Sequence, residues 1–293
     1  MNPWLRRGLI AVVGLVALAG AAVAIGLALG ERRMNRHIDV VVRAVPIPAD
    51  APSIERGRYL YASRGCAECH GAGGAGRRFV DDGSVRLAGP AIARGSVTQG
   101  YQVVDWVRTI RHGVKPDGRP LRVMPSEDYN RFTDADVGAI VAYAQSLAPV
   151  VPRAAEIVLP LPARVLYGYG AIPEAAELID HRVPPQQPVA EGVSVEHGQY
   201  VANLCLGCHG ANLEGGKRPG TPPDWPPAAR LVAGPGNVMA DRYADAGAFV
   251  AMMKTGKRPD GSAVGAMPFE TLRELSDTDT RALHLYLRSL AAR

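Results

Sequence analysis

Ser53-Ile54-Glu55-Arg56-Gly57-Arg58-Tyr59, followed by Cys66-Ala67-Glu68-Cys69-His70, reappears as Ser194-Val195-Glu196-His197-Gly198-Gln199-Tyr200, followed by Cys205-Leu206-Gly207-Cys208-His209. The register holds further on. Lys115-Pro116-Asp117-Gly118 matches Arg258-Pro259-Asp260-Gly261, and seven residues after each Asp stands a Met-Pro pair, Met124-Pro125 and Met267-Pro268. Nine residues after each Met come Thr133-Asp134-Ala135-Asp136 and Ser276-Asp277-Thr278-Asp279; Tyr143 with Ser146-Leu147 then matches Tyr286 with Ser289-Leu290. Self-similarity maintained in this way marks a tandem of two like units.

Each unit reads as helical. A Ser or Thr with an acid three residues later is a helix-start signal, in which both side chains satisfy orphan amides. Apolar residues follow at helical spacing, Val137, Ile140, Val141, Ala144 and Leu147 in one copy and Leu283, Leu285, Tyr286, Leu287 and Leu290 in the other. Segments 53–64 and 194–204 lead into the cysteine motifs, and 103–112 and 246–254 supply middle helices. No segment alternates convincingly as a strand, so the expected fold class is all-α, with units at 50–149 and 194–293. Between them, 150–193 carries Pro152, Pro160, Pro162, Pro173, Pro184, Pro185 and Pro188, a connector stiff where proline is dense. Within it a short helix is expected over 172–181, packed on one of the units. Residues 159–170 are mostly apolar, but the prolines at their start and Arg164 argue against a membrane span.

Residues 1–36 form a separate segment. Arg6 and Arg7 precede a run from Gly8 to Gly30 without a charged side chain, and Arg32, Arg33 and Arg36 follow. As a helix this run reaches about 35 Å, enough to cross a bilayer. A cleaved signal peptide has a shorter apolar region, typically about 7–15 residues. A retained membrane anchor is therefore the expectation.

All four cysteines lie in C-x-x-C pairs, each followed at once by histidine. That is the attachment signature of c-type haem: two thiols add to the porphyrin vinyl groups and the next imidazole reaches the iron. Zinc needs no histidine after each pair and would have to unite two repeats. A thioredoxin-like redox pair needs an α/β setting. Two covalently bound haems are therefore expected, on Cys66, Cys69 and His70 and on Cys205, Cys208 and His209. Because such attachment takes place outside the cytoplasm, everything beyond about residue 36 is expected in the periplasm, on a single-pass anchor in a bacterial inner membrane.

Methionine is the usual sixth ligand opposite histidine in cytochromes c. Met124 follows the first motif, with His112 as a rival. In the second unit Met239, Met252, Met253 and Met267 compete, and Met267 is favoured because it matches Met124. The iron ligands expected are thus His70, Met124, His209 and Met267, with no catalytic residue. Asp117, Glu127, Asp128 and Asp260 read as solvated loop acids. The net charge of +5 comes with no arginine stripe or aromatic-interleaved basic patch, which argues against nucleic acid as a partner.

Each repeat resembles a class I cytochrome c domain, with C-x-x-C-H after an N-terminal helix, a Met-Pro loop and a last helix ending in Tyr-x-x-Ser-Leu. The tethered pair is similar to the cytochrome subunits of periplasmic dehydrogenases, which commonly carry three such units where this chain has two. The resemblance implies a backbone carbonyl holding the second nitrogen of each proximal histidine, with Pro90 matching in the first unit and Pro227 or Pro235 in the second. It also implies a relay of single electrons from a donor, such as a dehydrogenase, to a respiratory acceptor at the membrane. Partners would be a periplasmic dehydrogenase, a terminal oxidase or a soluble cytochrome. The alternatives are the dihaem subunit of a haem–copper terminal oxidase, or a dihaem peroxidase-type enzyme.

Overall fold

The computed structural model describes residues 2–221 and 224–291. Helix α1 (Pro3–Met34) leads through an extended segment to α2 (Ala51–Ser63), α3 (Cys66–His70), strands β1 (Arg78–Asp81) and β2 (Arg86–Ala88), then α4 (Val103–His112), α5 (Ser126–Tyr129) and α6 (Asp134–Ser146). The connector supplies β3 (Glu156–Val158), α7 (Leu161–Gly168) and α8 (Ala175–Leu178). Beyond it lie α9 (Val195–Val201), a 3-10 turn over Ala202–Cys205, α10 (Leu206–His209), α11 (Val238–Asp241), α12 (Ala246–Thr255), α13 (Phe269–Leu272) and α14 (Asp277–Ala291). The last two residues of the expected 194–293 unit lie outside the described residues.

The repeat is structural as well as sequential. Helix α2 crosses α6 where Gly57 faces the Ala139 carbonyl, and α9 crosses α14 where Gly198 faces that of Ala282; a β-carbon at either glycine would overlap the carbonyl oxygen. This close approach explains why both copies of the opening motif carry glycine. Helices α4 and α12 both stop at a left-handed glycine, Gly113 (φ 64°) and Gly256 (φ 71°), a conformation that glycine adopts without steric cost. Leu60, Trp106, Val107, Phe132 and Val137 centre one core, while Met239, Met253, Leu275, Leu283 and Leu287 centre the other.

The helical class holds, with an addition that the sequence did not announce. β1, β2 and β3 form a small antiparallel sheet in that order, with Leu87 opposite Ile157. Strands of three or four residues are too short to display alternation. Glu156 on β3 takes ion pairs from Arg78 (3.0 Å) and Arg86 (3.1 Å), so the start of the connector is stitched to the first unit. The short helix expected over 172–181 is confined to α8, which packs against α5.

The helix-start motifs differ from expectation in an informative way. Thr133 and Ser276 do accept the amide hydrogens of Asp136 (3.1 Å) and Asp279 (3.0 Å). The carboxylates do not turn back on their own caps. Tyr59 donates to Asp279 (2.6 Å) and accepts from the Ser276 amide (3.0 Å), while Tyr200 donates to Asp136 (2.6 Å) and accepts from the Thr133 amide (3.2 Å). The tyrosine of each opening motif thus caps the last helix of the other unit. This reciprocal exchange relates the two halves by an approximate twofold axis.

Candidate haem sites

Each C-x-x-C-H motif occupies a short helical turn ended by a glycine of positive φ, Gly71 (φ 74°) and Gly210 (φ 82°). The following backbone then folds under the histidine, with Gly76 donating to the His70 carbonyl and Gly215 to that of His209, both at 2.8 Å. A spacing of three puts the two thiols of each motif on one side of the turn. All four cysteines are free. Burial pushes Cys66 up to about 12 and Cys69 up to about 11, and Cys205 likewise to about 12. Thiol–disulfide chemistry calls for a depressed thiol pKa, so these pairs are ill suited to a redox-active dithiol. Nor do they join in one zinc site: among the described residues no cluster of three or more His, Cys, Asp and Glu is placed to hold a metal ion.

The histidines are oriented alike. Nδ1 of His70 lies 2.8 Å from the Pro90 carbonyl, and Nδ1 of His209 lies 2.8 Å from the Ala229 carbonyl. A carbonyl only accepts, so Nδ1 carries the proton and the lone pair is left on Nε2, the form in which imidazole ligates a metal. Burial lowers the pKa of both rings against the pull of these bonds, which favours the neutral form. The first partner is the expected Pro90. The second is neither Pro227 nor Pro235 but Ala229. Any residue can supply a carbonyl, and position alone decides.

Met124 and Met267 are half-buried, Met124 against the core that also touches Cys66, and Met267 against the core that touches Cys205. The prolines after them share one backbone conformation, φ −80° with ψ 65° at Pro125 and 70° at Pro268. Met239, Met252 and Met253 are buried in the second core. His112 is engaged elsewhere, its Nδ1 3.0 Å from Nδ1 of His181 in the connector.

Two of the acids read as solvated loop residues are not. Asp128 on α5 accepts the Gly207 amide at 2.7 Å, and burial, with Glu127 beside it, raises its pKa well above the usual carboxylate range. Burial likewise raises the pKa of Glu127. At the twofold-related place, Thr271 on α13 donates to Glu68 at 2.7 Å. Each attachment turn is therefore fastened to the post-methionine helix of the other unit, which brings the two motifs to one interface. Sequence reasoning missed this because no local pattern reports a contact between units. Asp117 and Asp260 do sit in exposed turns, where they accept the amides of Arg119 and Ser262.

Comparison with known families gives matches over both repeats. Residues 52–143 match the family described as cytochrome c oxidase, cbb3-type, subunit III, and residues 195–291 match cytochrome c. The chain carries two cytochrome c domains. They bind haem c and make the chain an electron-transfer protein. It is also 27% identical over 287 residues to the fructose dehydrogenase cytochrome subunit of Gluconobacter japonicus, an alignment covering 85% of this chain and 55% of that protein. The cytochrome thus spans about half the length of the curated relative it matches, and is related to dehydrogenase cytochrome subunits. Helix α1 is long and apolar enough to cross a membrane, with mean hydropathy 2.6 over its most apolar stretch.

Proposed function

We propose that the chain is a dihaem relay, anchored in the inner membrane by α1, that takes single electrons from a dehydrogenase on the periplasmic side and passes them to a respiratory acceptor. The observation that carries the reading is the duplicated histidine geometry, Nδ1 held by a carbonyl at 2.8 Å in both units with free thiols on the same turn. In this reading Cys66 and Cys69, and Cys205 and Cys208, hold the two haems by thioether bonds. His70 and Met124, and His209 and Met267, are the axial ligands. Haem supplies the one-electron couple. The protein residues fix the imidazole tautomer, surround the site with apolar side chains and set the separation of the two motifs. The units run over residues 50–149 and 194–293 about the connector 150–193, and the anchor over 1–36.

Retention of the anchor is supported by what α1 touches. Arg33 in its last turn pairs with Glu177 at 2.5 Å, and Gly26 and Gly30 pack closely against α7. Removing α1 would take Arg33 from Glu177 and uncover the face of α7 against which Gly26 and Gly30 pack. A dehydrogenase partner rests on the relative, whose alignment runs across both units. A terminal oxidase is the second reading, favoured by the match of residues 52–143 to an oxidase subunit family.

The test is isolation from native membranes in mild detergent, followed by intact-mass analysis and identification of what co-purifies. A chain retaining residues 3–34, heavier by two haems and in equal amount with a dehydrogenase, is the expected result. A single haem, or none, would overturn the dihaem reading. An oxidase in the dehydrogenase's place would make the second reading the correct one.

A further inference from the structure

Helix α7, between the two cytochrome c domains, is built for a surface that is neither of them. It lies against the end of α1 rather than on either haem unit. Gly26 and Gly30 are the only buried residues of α1, and both face α7. A β-carbon at Gly168 would overlap the Gly26 carbonyl and come within 3.0 Å of the Gly30 amide. Small residues that let two backbones touch are the usual means of helix association in lipid. Around this crossing, Val165 and Tyr169 lie towards Gly26 and Ala22, whereas Arg164 and Tyr167 lie towards Gly30 and Arg33. Helix α7 therefore runs across α1 rather than along it, with one flank facing down the apolar span and the other facing its charged end.

The lower flank carries apolar side chains that the protein covers only in part. Leu161, Val165 and Tyr169 share it by their spacing of four, with Pro162 and Leu166 alongside. Leu161 is 50% exposed, Leu166 49% and Tyr169 50%. The Tyr169 hydroxyl donates to the Ala22 carbonyl at 2.6 Å. Ala22 precedes Gly30 by eight residues, about 12 Å along a helix, so in a bilayer this hydroxyl would have a protein partner in place of water. The upper flank is polar: Arg33 donates to the Tyr167 carbonyl, stacks 4.7 Å from its ring and pairs with Glu177, while Arg36 just beyond α1 pairs with Glu174 and Glu177.

We infer that α7 is seated in the outer leaflet of the bilayer, its Leu161–Leu166–Tyr169 flank among the acyl chains and its Arg33 latch at headgroup level. The occupant of this face is lipid because the exposed flank continues directly from the apolar surface of α1, whose most apolar stretch is wholly unburied. An apolar flank under a polar one is the pattern of a helix lying in the membrane interface. The consequence is orientation: two crossing helices hold the haem units at a set tilt to the membrane, where a single tether through residues 35–50 would let them swing. The inference rests on α1 being a retained anchor.

The full-length haem-loaded protein in phospholipid nanodiscs containing a photoactivatable phosphatidylcholine tests it, with adducts mapped by mass spectrometry. Adducts on α1 and on the peptide bearing Leu161, Leu166 and Tyr169 are expected, with none on Val97 or Leu285, which are exposed apolar residues elsewhere on the surface. The double variant Leu161→Ser, Leu166→Ser should lose most of the α7 adducts and keep those on α1, with haem content unchanged. Adducts confined to α1, or cross-links joining α7 of one copy to α7 of another, would overturn the inference and leave the anchor standing. A mature protein lacking residues 3–34 would overturn the anchor itself, and this inference with it.

Discussion

Asp279 concentrates the energetics of the molecule on one carboxylate. It is fully buried and receives Arg64 (2.6 Å), Tyr59 (2.6 Å) and His197 (2.7 Å). Burial alone would raise its pKa, but the Arg64 charge and the bonds from Tyr59, Arg64 and His197 hold it at about 2. The folded pKa lies below the ordinary value of 3.8, so this contribution is complete above about pH 4 and is lost as pH falls towards 2. Asp279→Asn would leave Arg64 as an uncompensated buried cation, a loss of about 3–5 kcal/mol. Chemical denaturation at neutral pH should show it, with the acid limb flattened relative to wild type. His112 loses stability in the same direction but over a higher pH window. Burial, then His181, Arg111 and Arg108, push it down to about 4 from 6.5. Its folded pKa is depressed, so the unfolded chain takes up the proton first and stability falls as pH drops from about 6.5 to 4. His112→Gln should remove that slope, measured by thermal unfolding across the interval.

Among elements, the helix crossings carry the clearest prediction. Gly57→Ala and Gly198→Ala each force a methyl against a carbonyl in a packed crossing, and overpacking of this kind costs about 1–3 kcal/mol. Each substitution should lower the denaturation midpoint and loosen the attachment turn that follows its helix. A stability equal to wild type would contradict the crossing. The same elements show where sequence sufficed. The glycine and tyrosine of the opening motif, the Met-Pro pair and the cysteine turns were visible because each does the same job twice. Asp136 and Asp279 read as cap residues because their partners, Tyr200 and Tyr59, come from the other unit. Ala229 was invisible as a proximal partner because only its backbone acts. Helix α7 was legible as apolar but not as partner to α1, since Gly168 carries no signal until Gly26 and Gly30 are beside it.

At the scale of the whole molecule, the reciprocal tyrosine caps and the Asp128–Gly207 and Thr271–Glu68 bonds join the halves. Tyr59→Phe leaves the Ser276 amide and the Asp279 carboxylate each short of a partner, at about 1.5–3 kcal/mol. Combined with Tyr200→Phe, it should turn one cooperative unfolding transition into two. The central claim is that both units hold haem between histidine and methionine. Near-infrared spectra of the ferric full-length protein, with Met124→Ala and Met267→Ala beside it, test this most directly. The weak methionine–iron charge-transfer band should fall by about half in either variant and vanish in the double, while haem content is unchanged. A band that survives the double substitution, or is absent from wild type, would contradict the account.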